Sequence, residues 1–313
     1  GVYKLSCHKS SENLSVLVSS SNTPGTIYLV NLDNRKTKTL LKPQLAGINP
    51  QELIEPEVIN FRAKDGVQIQ GLLYLPKFTD TGLKPPIVID IHGGPTSQAK
   101  PDWQPLTQYL LGKGIAVLDI NVRGSTGFGK SYTRLENKEK RLDSVRYLVD
   151  AINWLDKDGR VDGKNGAVIG GSYGGYMVNA VMGLYPDSFK AGASFVGVAD
   201  WVRALETASP GLKASDRIEY GDITEEKWQS FYAANSPINT VNKIKAPMFF
   251  EHGVNDPRDP VTESDSMVKV LRKNEVPVTY LRFEDEGHEV TKVTNRILFY
   301  RELANFLERH LKN

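Results

Sequence analysis

A serine flanked by glycines stands where a predicted strand, residues 167–169, meets a predicted helix, residues 173–184. Gly170, Ser172 and Gly174 form the pattern G-x-S-x-G. At such a turn the serine hydroxyl projects above the sheet, while the glycines leave room where strand and helix approach each other. The helix N-terminus adds N–H groups and a positive dipole end near a developing oxyanion. The alternative, a serine that only caps a helix, explains less of this context. The pattern therefore predicts Ser172 as a nucleophile.

A serine nucleophile needs a base, and the chain has five histidines. His288 ends the acidic loop 284–288, after the last predicted strand and before the last helix. An α/β hydrolase carries its catalytic histidine there. His8 lies in the N-terminal segment, and His310 lies in the last helical turn, where a cation meets the C-terminal dipole. His288 alone would be taken for a solvated loop histidine, but together with Ser172 it is the predicted base.

The carboxylate that orients the histidine must follow a strand between Ser172 and His288. Asp256 and Asp259 both lie in the loop after the predicted strand 248–251. Asp256 is closer to the strand end and precedes a proline that stiffens the loop, so it is the favoured acid, with Asp259 as the alternative. The order serine, aspartate, histidine is the order of this fold. The acid would fix the imidazole tautomer and stabilise the imidazolium.

A glycine pair follows the early predicted strand 87–91, in the segment 92–95 of sequence His-Gly-Gly-Pro. Esterases and related hydrolases use this loop type to point backbone N–H groups at the oxyanion. The predicted donors are the amides of Tyr173 and Gly94. His92 would contribute to substrate binding or simply pack at the strand end, and a plain turn is the alternative reading of the loop.

The elements that must position these residues alternate along the chain from residue 57. Residues 58–61 and 67–74 are predicted to form a hairpin around the Asp65-Gly66 turn. Strands are predicted at 87–91, 115–120, 167–169, 191–196, 248–251 and 278–283, and those at 87–91, 115–120 and 248–251 are predicted to be buried. Helices are predicted near 106–111, 142–156, 173–184, 263–273 and at the C-terminus. This order predicts the α/β class and an α/β-hydrolase fold, with a mostly parallel sheet flanked by helices. The site is then expected at the carboxyl ends of the strands.

The N-terminal segment has a different pattern. The pattern of residues 1–45 predicts two or three short strands without a helix, and such strands cannot form a hydrophobic core alone. Residues 43–56 are a predicted linker. We therefore predict a short N-terminal β extension over residues 1–50 and a catalytic domain over residues 51–313.

Composition excludes several classes of function. The 313 residues are 40% hydrophobic and 24% charged, which allows a sizeable core. The net charge of +2 is scattered, so neither nucleic acid nor a membrane is an expected partner. No segment approaches the ~18 apolar residues that cross a bilayer. Cys7 is the single cysteine, which excludes an internal disulfide. No metal or nucleotide motif is visible, so we expect no cofactor and no metal.

The sequence does not decide whether the protein is cytoplasmic or is exported to the periplasm or secreted. The chain starts at Gly1 without an initiator Met, so the sequence leaves open whether a segment precedes Gly1.

Taken together, the ordered motifs resemble the prolyl oligopeptidase family of serine peptidases, especially its acylaminoacyl-peptidase-like bacterial members, from about residue 52 to the C-terminus. The motifs that carry the resemblance are residues 63–66, 92–95, 123–129, 170–176, 252–258 and 286–288. The resemblance implies hydrolysis of peptide or acyl bonds in small substrates through an acyl-enzyme. It also implies a β-propeller before the hydrolase domain, of which residues 1–45 would be a remnant.

The resemblance also directs attention to the substrate pocket. Some relatives use a tyrosine hydroxyl as an oxyanion donor where this chain has His92, and a common valine is here Asp259. Arg258 is expected either to bind a substrate carboxylate or to pair with Asp259. Phe128 is a candidate pocket residue. Trp201 lies in a segment expected to form a lid and an acyl or P1 pocket, and a core position is the alternative for this side chain.

Two charged features are interpreted as structural. Arg123 is expected to pair with an acid. The charged run 134–141 is expected to form a solvated loop or helix start.

The leading function is a serine peptidase that acts on short peptides or N-acylated peptides. A carboxylesterase with the same residues is the alternative, and a non-catalytic binding or scaffold protein is a third. The expected partner is a short peptide or acyl-ester substrate, and the sequence is compatible with a homo-oligomer. The P1 preference stays open.

Overall fold

A small antiparallel sheet precedes the main sheet in the computed structural model, which describes residues 1–77 and 83–312. Its four strands pair in sequence order, β1 with β2, β2 with β3 and β3 with β4. They are β1 (Val2–Cys7), β2 (Asn13–Ser20), β3 (Thr23–Asn31) and β4 (Thr37–Leu41). The predicted strands of this segment are present in β2 and β3. The sheet is anchored to the rest of the chain by Gln108, whose Nε2 donates to the carbonyl oxygen of Ser21 over 3.1 Å.

The main sheet has eight strands in the order β12-β11-β10-β9-β7-β8-β6-β5. Strand β6 pairs antiparallel with β5 on one side and with β8 on the other, whereas β7 to β12 run parallel to one another. The strands are β5 (Glu57–Arg62), β6 (Gln68–Tyr74), β7 (Pro86–Ile91), β8 (Ala116–Asn121), β9 (Asp162–Gly171), β10 (Ala191–Phe195), β11 (Met248–Gly253) and β12 (Val278–Phe283). The predicted α/β class and α/β-hydrolase fold are confirmed.

Helices cover both faces of this sheet, and the longer ones at the surface, such as α3, α8 and α9, bury one apolar face. They are α1 (Pro105–Gly112), α2 (Lys130–Thr133), α3 (Arg141–Asp158), α4 (Tyr173–Leu184), α5 (Trp201–Thr207), α6 (Pro210–Glu219), α7 (Glu226–Asn235), α8 (Thr262–Lys273) and α9 (Val293–Leu311). Short 3-10 turns lie at Pro50–Glu52, Arg134–Glu136, Lys138–Lys140, Pro237–Asn239 and Val241–Lys243. Among the helices of the described residues, none is both long enough and apolar enough to pass through a bilayer.

The core consists of two apolar clusters separated by the sheet. One contains buried side chains of α3, α4 and α8, such as Leu148, Val178 and Leu271. The other contains side chains of α1 and α9, such as Leu110 and Leu303. Because the central strands are buried on both faces, their sequences are nearly continuous apolar runs.

The strand register brings the candidate site together at one edge. Phe195 at the end of β10 pairs with Gly171 of β9 on one side and with Glu251 of β11 on the other. Gly253 at the end of β11 pairs with Phe283 of β12. The loops that leave β9, β11 and β12 therefore start side by side, although they are far apart in the sequence.

Candidate active site

Ser172 occupies a strained turn between β9 and α4, with φ of 55° and ψ of −117°. A non-glycine residue in such a conformation costs about 1–3 kcal/mol and needs support from its surroundings. The Ser172 amide donates to the carbonyl oxygen of Phe195 over 2.8 Å. A Cβ at Gly170 would lie 2.7 Å from the carbonyl carbon of Gly174, and a Cβ at Gly174 would overlap the Ile91 carbonyl. Only glycines therefore let strand and helix approach closely enough to hold this turn.

His288 and Asp256 lie against each other at the ends of neighbouring loops. His288 Nδ1 is 2.6 Å from Asp256 Oδ2, and Asp256 Oδ1 accepts the amides of Arg258 (2.8 Å) and Asp259 (3.0 Å). Burial disfavours the charged form of Asp256. Hydrogen bonds from His252, His288 and the two amides outweigh burial and hold the pKa of Asp256 well below its usual value. The carboxylate is thus ionised and can orient the imidazole with its Nε2 free for proton transfer.

The loops that carry these two residues are locked together. The Asn255 amide donates to the Glu286 carbonyl oxygen over 3.0 Å. The Glu286 carboxylate accepts the amides of Thr291 and Lys292, each over 3.0 Å. At Gly253, an added Cβ would lie 2.6 Å from the Glu286 carbonyl carbon. These contacts hold the loop that carries His288 against the loop that carries Asp256.

Asp259, the alternative acid, is placed less well to orient His288. Its Oδ2 is 3.8 Å from His288 Nδ1, beyond hydrogen-bond distance. Burial raises the pKa of Asp259 to about 6, and the charge of His288 partly opposes this. The geometry therefore favours Asp256 as the partner of the imidazole.

The same three residues could also hold a metal ion. One ligand atom each of Asp256, Asp259 and His288 lies within 4.8 Å of the others. However, His288 Nδ1 already contacts Asp256 Oδ2, so these two atoms satisfy each other without an ion.

A cavity of about 560 Å³ brings Ser172 and His288 together with the glycine loop after β7. A Cβ at Gly93 would lie 3.4 Å from Ser172 Cβ, so this loop runs directly beside the serine. Within residues 1–77 and 83–312, no hydrogen bond engages the amides of Tyr173 and Gly94, the two predicted oxyanion donors. Both amides are thus available to an oxyanion.

A second cavity, of about 100 Å³, also borders Ser172 and reaches Trp201 and Arg258. Arg258 lines both cavities. Its guanidinium forms no ion pair with Asp259 or with any other carboxylate in the described part of the chain. Of the two expectations for Arg258, pairing with Asp259 is therefore not observed.

His92 and Phe128 line neither cavity beside Ser172. The ring nitrogens of His92 contact the Gly93 carbonyl oxygen (2.8 Å) and Ser125 Oγ (2.7 Å). Phe128 packs against Tyr132, with 5.2 Å between ring centroids. The structure favours the packing alternative for His92, which positions the glycine loop, and gives Phe128 no contact with the cavities.

Residues 134–141 are partly solvated and lead into the start of α3, as expected, but two of their charged side chains are buried. Glu136 and Arg141 are each 1% exposed. Arg141 pairs with Glu219 over 3.2 Å, and its guanidinium lies 3.9 Å from the Tyr220 ring centroid. Glu136 accepts the Tyr173 hydroxyl over 2.8 Å, and burial raises the pKa of Glu136 to about 7. The helical spacing that relates Arg141 to the buried Val145 and Leu148 was the sequence signal for its burial.

Arg123 behaves as expected. It pairs with Asp65 and, over 3.0 Å, with Asp143, and its guanidinium lies over the Tyr147 ring.

Glu251 is a site residue that the sequence interpretation missed. It ends the apolar run of β11, is 3% exposed and lines the larger cavity. Burial raises the pKa of Glu251 to about 8, and the charge of Asp256 adds to this effect. Its Oε1 has no hydrogen-bond partner among the described residues. A lone glutamate at the end of an otherwise apolar strand was the signal for it.

Fold and site define the class: an α/β hydrolase with a serine at the turn after β9 and a histidine–aspartate pair on the adjoining loops. Residues 102–313 match the sequence profile described as the Prolyl oligopeptidase family. The chain belongs to the prolyl oligopeptidase family, as its motifs predict.

Two curated relatives match most of this chain. The sequence is 30% identical over 323 residues to "Dipeptidyl peptidase family member 6" of Caenorhabditis elegans, covering 95% of this chain and 43% of the relative. It is 31% identical over 279 residues to "Dipeptidyl aminopeptidase BIII" of Pseudoxanthomonas mexicana, covering 86% of this chain and 40% of the relative. The chain thus spans less than half of each relative.

Solved structures show the same fold. A Mycobacterium tuberculosis puromycin-hydrolyzing peptidase superposes with a TM-score of 0.89 at 23% identity, over 98% of this chain and 48% of that one. A Pyrococcus horikoshii acylaminoacyl peptidase superposes with a TM-score of 0.86 at 23% identity, over 100% of this chain and 50% of that one.

Proposed function

We propose that this chain is a serine peptidase that cleaves peptide or acyl-peptide bonds of short substrates. Ser172 is the nucleophile, His288 is the base and Asp256 orients the base. The observation that carries the proposal is the 2.6 Å contact between His288 Nδ1 and Asp256 in a cavity that Ser172 shares. The names of the relatives, dipeptidyl peptidases among them, support a peptide substrate.

The proposed reaction has two halves. Ser172 Oγ attacks the substrate carbonyl carbon while its proton passes to His288 Nε2. The carbonyl π electrons move to the oxygen, and the amides of Tyr173 and Gly94 stabilise the resulting oxyanion. Collapse of this intermediate breaks the C–N bond, and the departing amine takes the proton from His288. The acyl group stays on Ser172 Oγ.

Water completes the cycle by the same steps in reverse order. His288 accepts a proton from the water as it attacks the acyl-enzyme, and returns it to Ser172 Oγ when the acid product leaves. Asp256 stays ionised throughout, because its hydrogen bonds keep its pKa low. The imidazolium that forms twice per cycle is therefore stabilised by a fixed negative charge.

Turnover of two substrates by matched variants tests this proposal. We expect the wild type to hydrolyse an acetyl-aminoacyl anilide and a p-nitrophenyl ester, and Ser172→Ala to lose both activities by several orders of magnitude. Ser10→Ala, which changes an exposed serine, is the control and should match the wild type. Hydrolysis of the ester alone would favour the carboxylesterase alternative. Unchanged turnover in Ser172→Ala would refute the nucleophile assignment.

A further inference from the structure

Glu251 has a buried carboxyl group that no residue of the site engages. It is 3% exposed, and its Oε1 has no hydrogen-bond partner among the described residues. Native proteins pair nearly all of their buried polar groups, so an unpaired one calls for an explanation. The side chain lines the larger cavity together with Ser172 and His288. A molecule that enters this cavity can therefore supply the missing partner.

The charges that act on Glu251 favour a cation as this partner. Burial raises the pKa of Glu251 to about 8, the charges of Asp256 and Glu286 add to this effect, and His288 opposes it. Burial also disfavours the charged form of Glu286, but its hydrogen bonds outweigh burial and lower the pKa of Glu286. Asp256 and Glu286 are thus both ionised. The surroundings of Glu251 are therefore negative, and a cation placed there would be attracted by all three carboxyl groups.

The other charged residues of the cavity lining do not neutralise Glu251. Arg258, Glu289 and Arg296 line the same cavity, and all three are exposed. None of them is among the groups whose charges shift the pKa of Glu251. Solvent screens exposed charges of this kind, so the two arginines leave the buried carboxyl group without a cation.

The larger cavity lies on the leaving-group side of the scissile bond. His288 lines this cavity and does not line the smaller one. In the proposed reaction the departing amine takes a proton from His288 Nε2. The residue that carries this amine, P1′, must therefore occupy the cavity that His288 lines.

The sheet register places Glu251 within reach of a long P1′ side chain. Phe195 pairs with Gly171 on one side and with Glu251 on the other. The Cα atoms of Gly171 and Glu251 are thus two strand spacings apart, about 10 Å. A lysine side chain extends about 6 Å from its Cα, and the glutamate side chain covers the remainder. A lysine held next to Ser172 therefore reaches the carboxyl group.

The walls of the larger cavity suit the stem of such a side chain. Phe195, Val290, Phe299 and Tyr300 contribute to the lining. The rings of Phe195 and Phe299 pack edge to face, with 4.8 Å between their centroids. Lysine and arginine bury their methylene stems along apolar surface and carry the cation at the end. An apolar side chain would also pack on these walls, but it would leave Glu251 unpaired.

We propose that Glu251 is a specificity-determining residue that selects lysine or arginine at P1′ by forming an ion pair with the cationic side chain. The inference rests on the proposed function and deepens it, because it names the class of leaving group that the enzyme prefers. When the cation binds, it replaces the proton of the Glu251 carboxyl group, and that proton passes to solvent.

Acyl transfer to added amines tests the preference in the full chain. An acyl-enzyme formed from a p-nitrophenyl ester reacts with water or with an amine, and the amine binds where a leaving group binds, because its attack reverses the departure of the leaving group. The acceptors are lysinamide and norleucinamide, which differ by the terminal ammonium group. The quantity measured is the ratio of amide to acid product, per concentration of uncharged α-amine.

We expect a ratio for lysinamide that is at least about tenfold higher than the ratio for norleucinamide. Equal ratios, a higher ratio for norleucinamide, or no transfer to either acceptor overturns the inference. This comparison needs no variant, so it decides the preference even if a substitution at Glu251 prevents folding.

Release of p-nitrophenol in the same assay separates this inference from the proposed function. If the wild type releases none, or if Ser172→Ala releases it at an unchanged rate, the proposed function is wrong and the inference falls with it. If Ser172 is required for release while the two acceptors react equally, the proposed function stands and the P1′ preference is refuted.

Variants locate the preference in one carboxyl group. Glu251→Gln keeps the size of the side chain and removes its charge, so we expect it to lower the advantage of lysinamide at least about tenfold. Glu302→Gln is the matched control, because it changes a pair with Arg301, 3.3 Å apart and outside the cavity. The product ratio reports only the active fraction, so partial misfolding does not distort it. An unchanged advantage in Glu251→Gln, or an equal loss in Glu289→Gln, overturns the assignment to Glu251.

Discussion

Replacing Asp256 by asparagine tests the orientation of the base. His288 Nδ1 lies 2.6 Å from Asp256 Oδ2, and that carboxylate is held by two backbone amides at 2.8 and 3.0 Å. The side-chain oxygen of asparagine can still accept hydrogen bonds from the two backbone amides. However, the neutral side chain no longer selects the imidazole tautomer or stabilises the imidazolium. In a serine–histidine–aspartate site this loss lowers kcat about 10⁴-fold. That factor corresponds to about 5 kcal/mol of transition-state stabilisation.

The assay compares kcat of Asp256→Asn and Asp259→Asn on one uncharged ester, at a pH where the wild type is fully active. Asp259 Oδ2 is 3.8 Å from the same nitrogen, so we expect its replacement to cost less than about tenfold. Circular dichroism checks that both variants fold. A larger loss of kcat in Asp259→Asn than in Asp256→Asn would show that Asp259, not Asp256, orients the imidazole.

Three further predictions concern stability, each measured by urea denaturation. Burial raises the pKa of Glu251 to about 8, so the folded chain binds an extra proton between the unfolded pKa near 4.3 and pH 8. The stability from this group is present at low pH and falls by at most about 1.4 kcal/mol per unit as pH rises through that window. Glu251→Gln should flatten the slope, and an unchanged slope would exclude Glu251 as its source. Arg141→Met should cost about 3–5 kcal/mol, because it leaves the buried Glu136 and the half-buried Glu219 without their cation. The surface control Arg160→Met should cost less than about 1 kcal/mol, and equal losses would contradict the argument. Ser172→Gly should be about 1 kcal/mol more stable than Ser172→Ala, because only glycine relieves the positive φ. The reverse order would show that the turn is unstrained.

The sequence predicted the strands that are buried on both faces, because there the apolar runs follow directly from burial. Residues 278–283 and the helix 173–184 have the predicted bounds. The strand predicted at 167–169 extends to Asp162–Gly171, since its first residues are polar and carry no apolar signal. The segment from Trp201 to Asn235 contains three helices that the sequence analysis did not predict.

Only part of the candidate site could be predicted, because some of its contacts join residues that are far apart in the chain. Ser172, Asp256 and His288 stand at strand ends in an order that is typical of the fold, so motif and order predicted that they lie at the same edge of the sheet. The helical spacing of Arg141 indicates that it is buried. Its partners Glu219 and Tyr220 lie about 80 residues further along the chain, and local sequence does not report such contacts. Asp216 reaches the smaller cavity because α6 packs beside it, which is equally a tertiary effect.

Peptide mapping of the fluorophosphonate adduct identifies the serine that reacts. We expect one adduct, on the peptide that contains Ser172, which disappears in Ser172→Ala and forms far more slowly in His288→Ala. An adduct on another serine, or labelling of Ser172 at an unchanged rate without His288, would contradict the claim that these side chains act together.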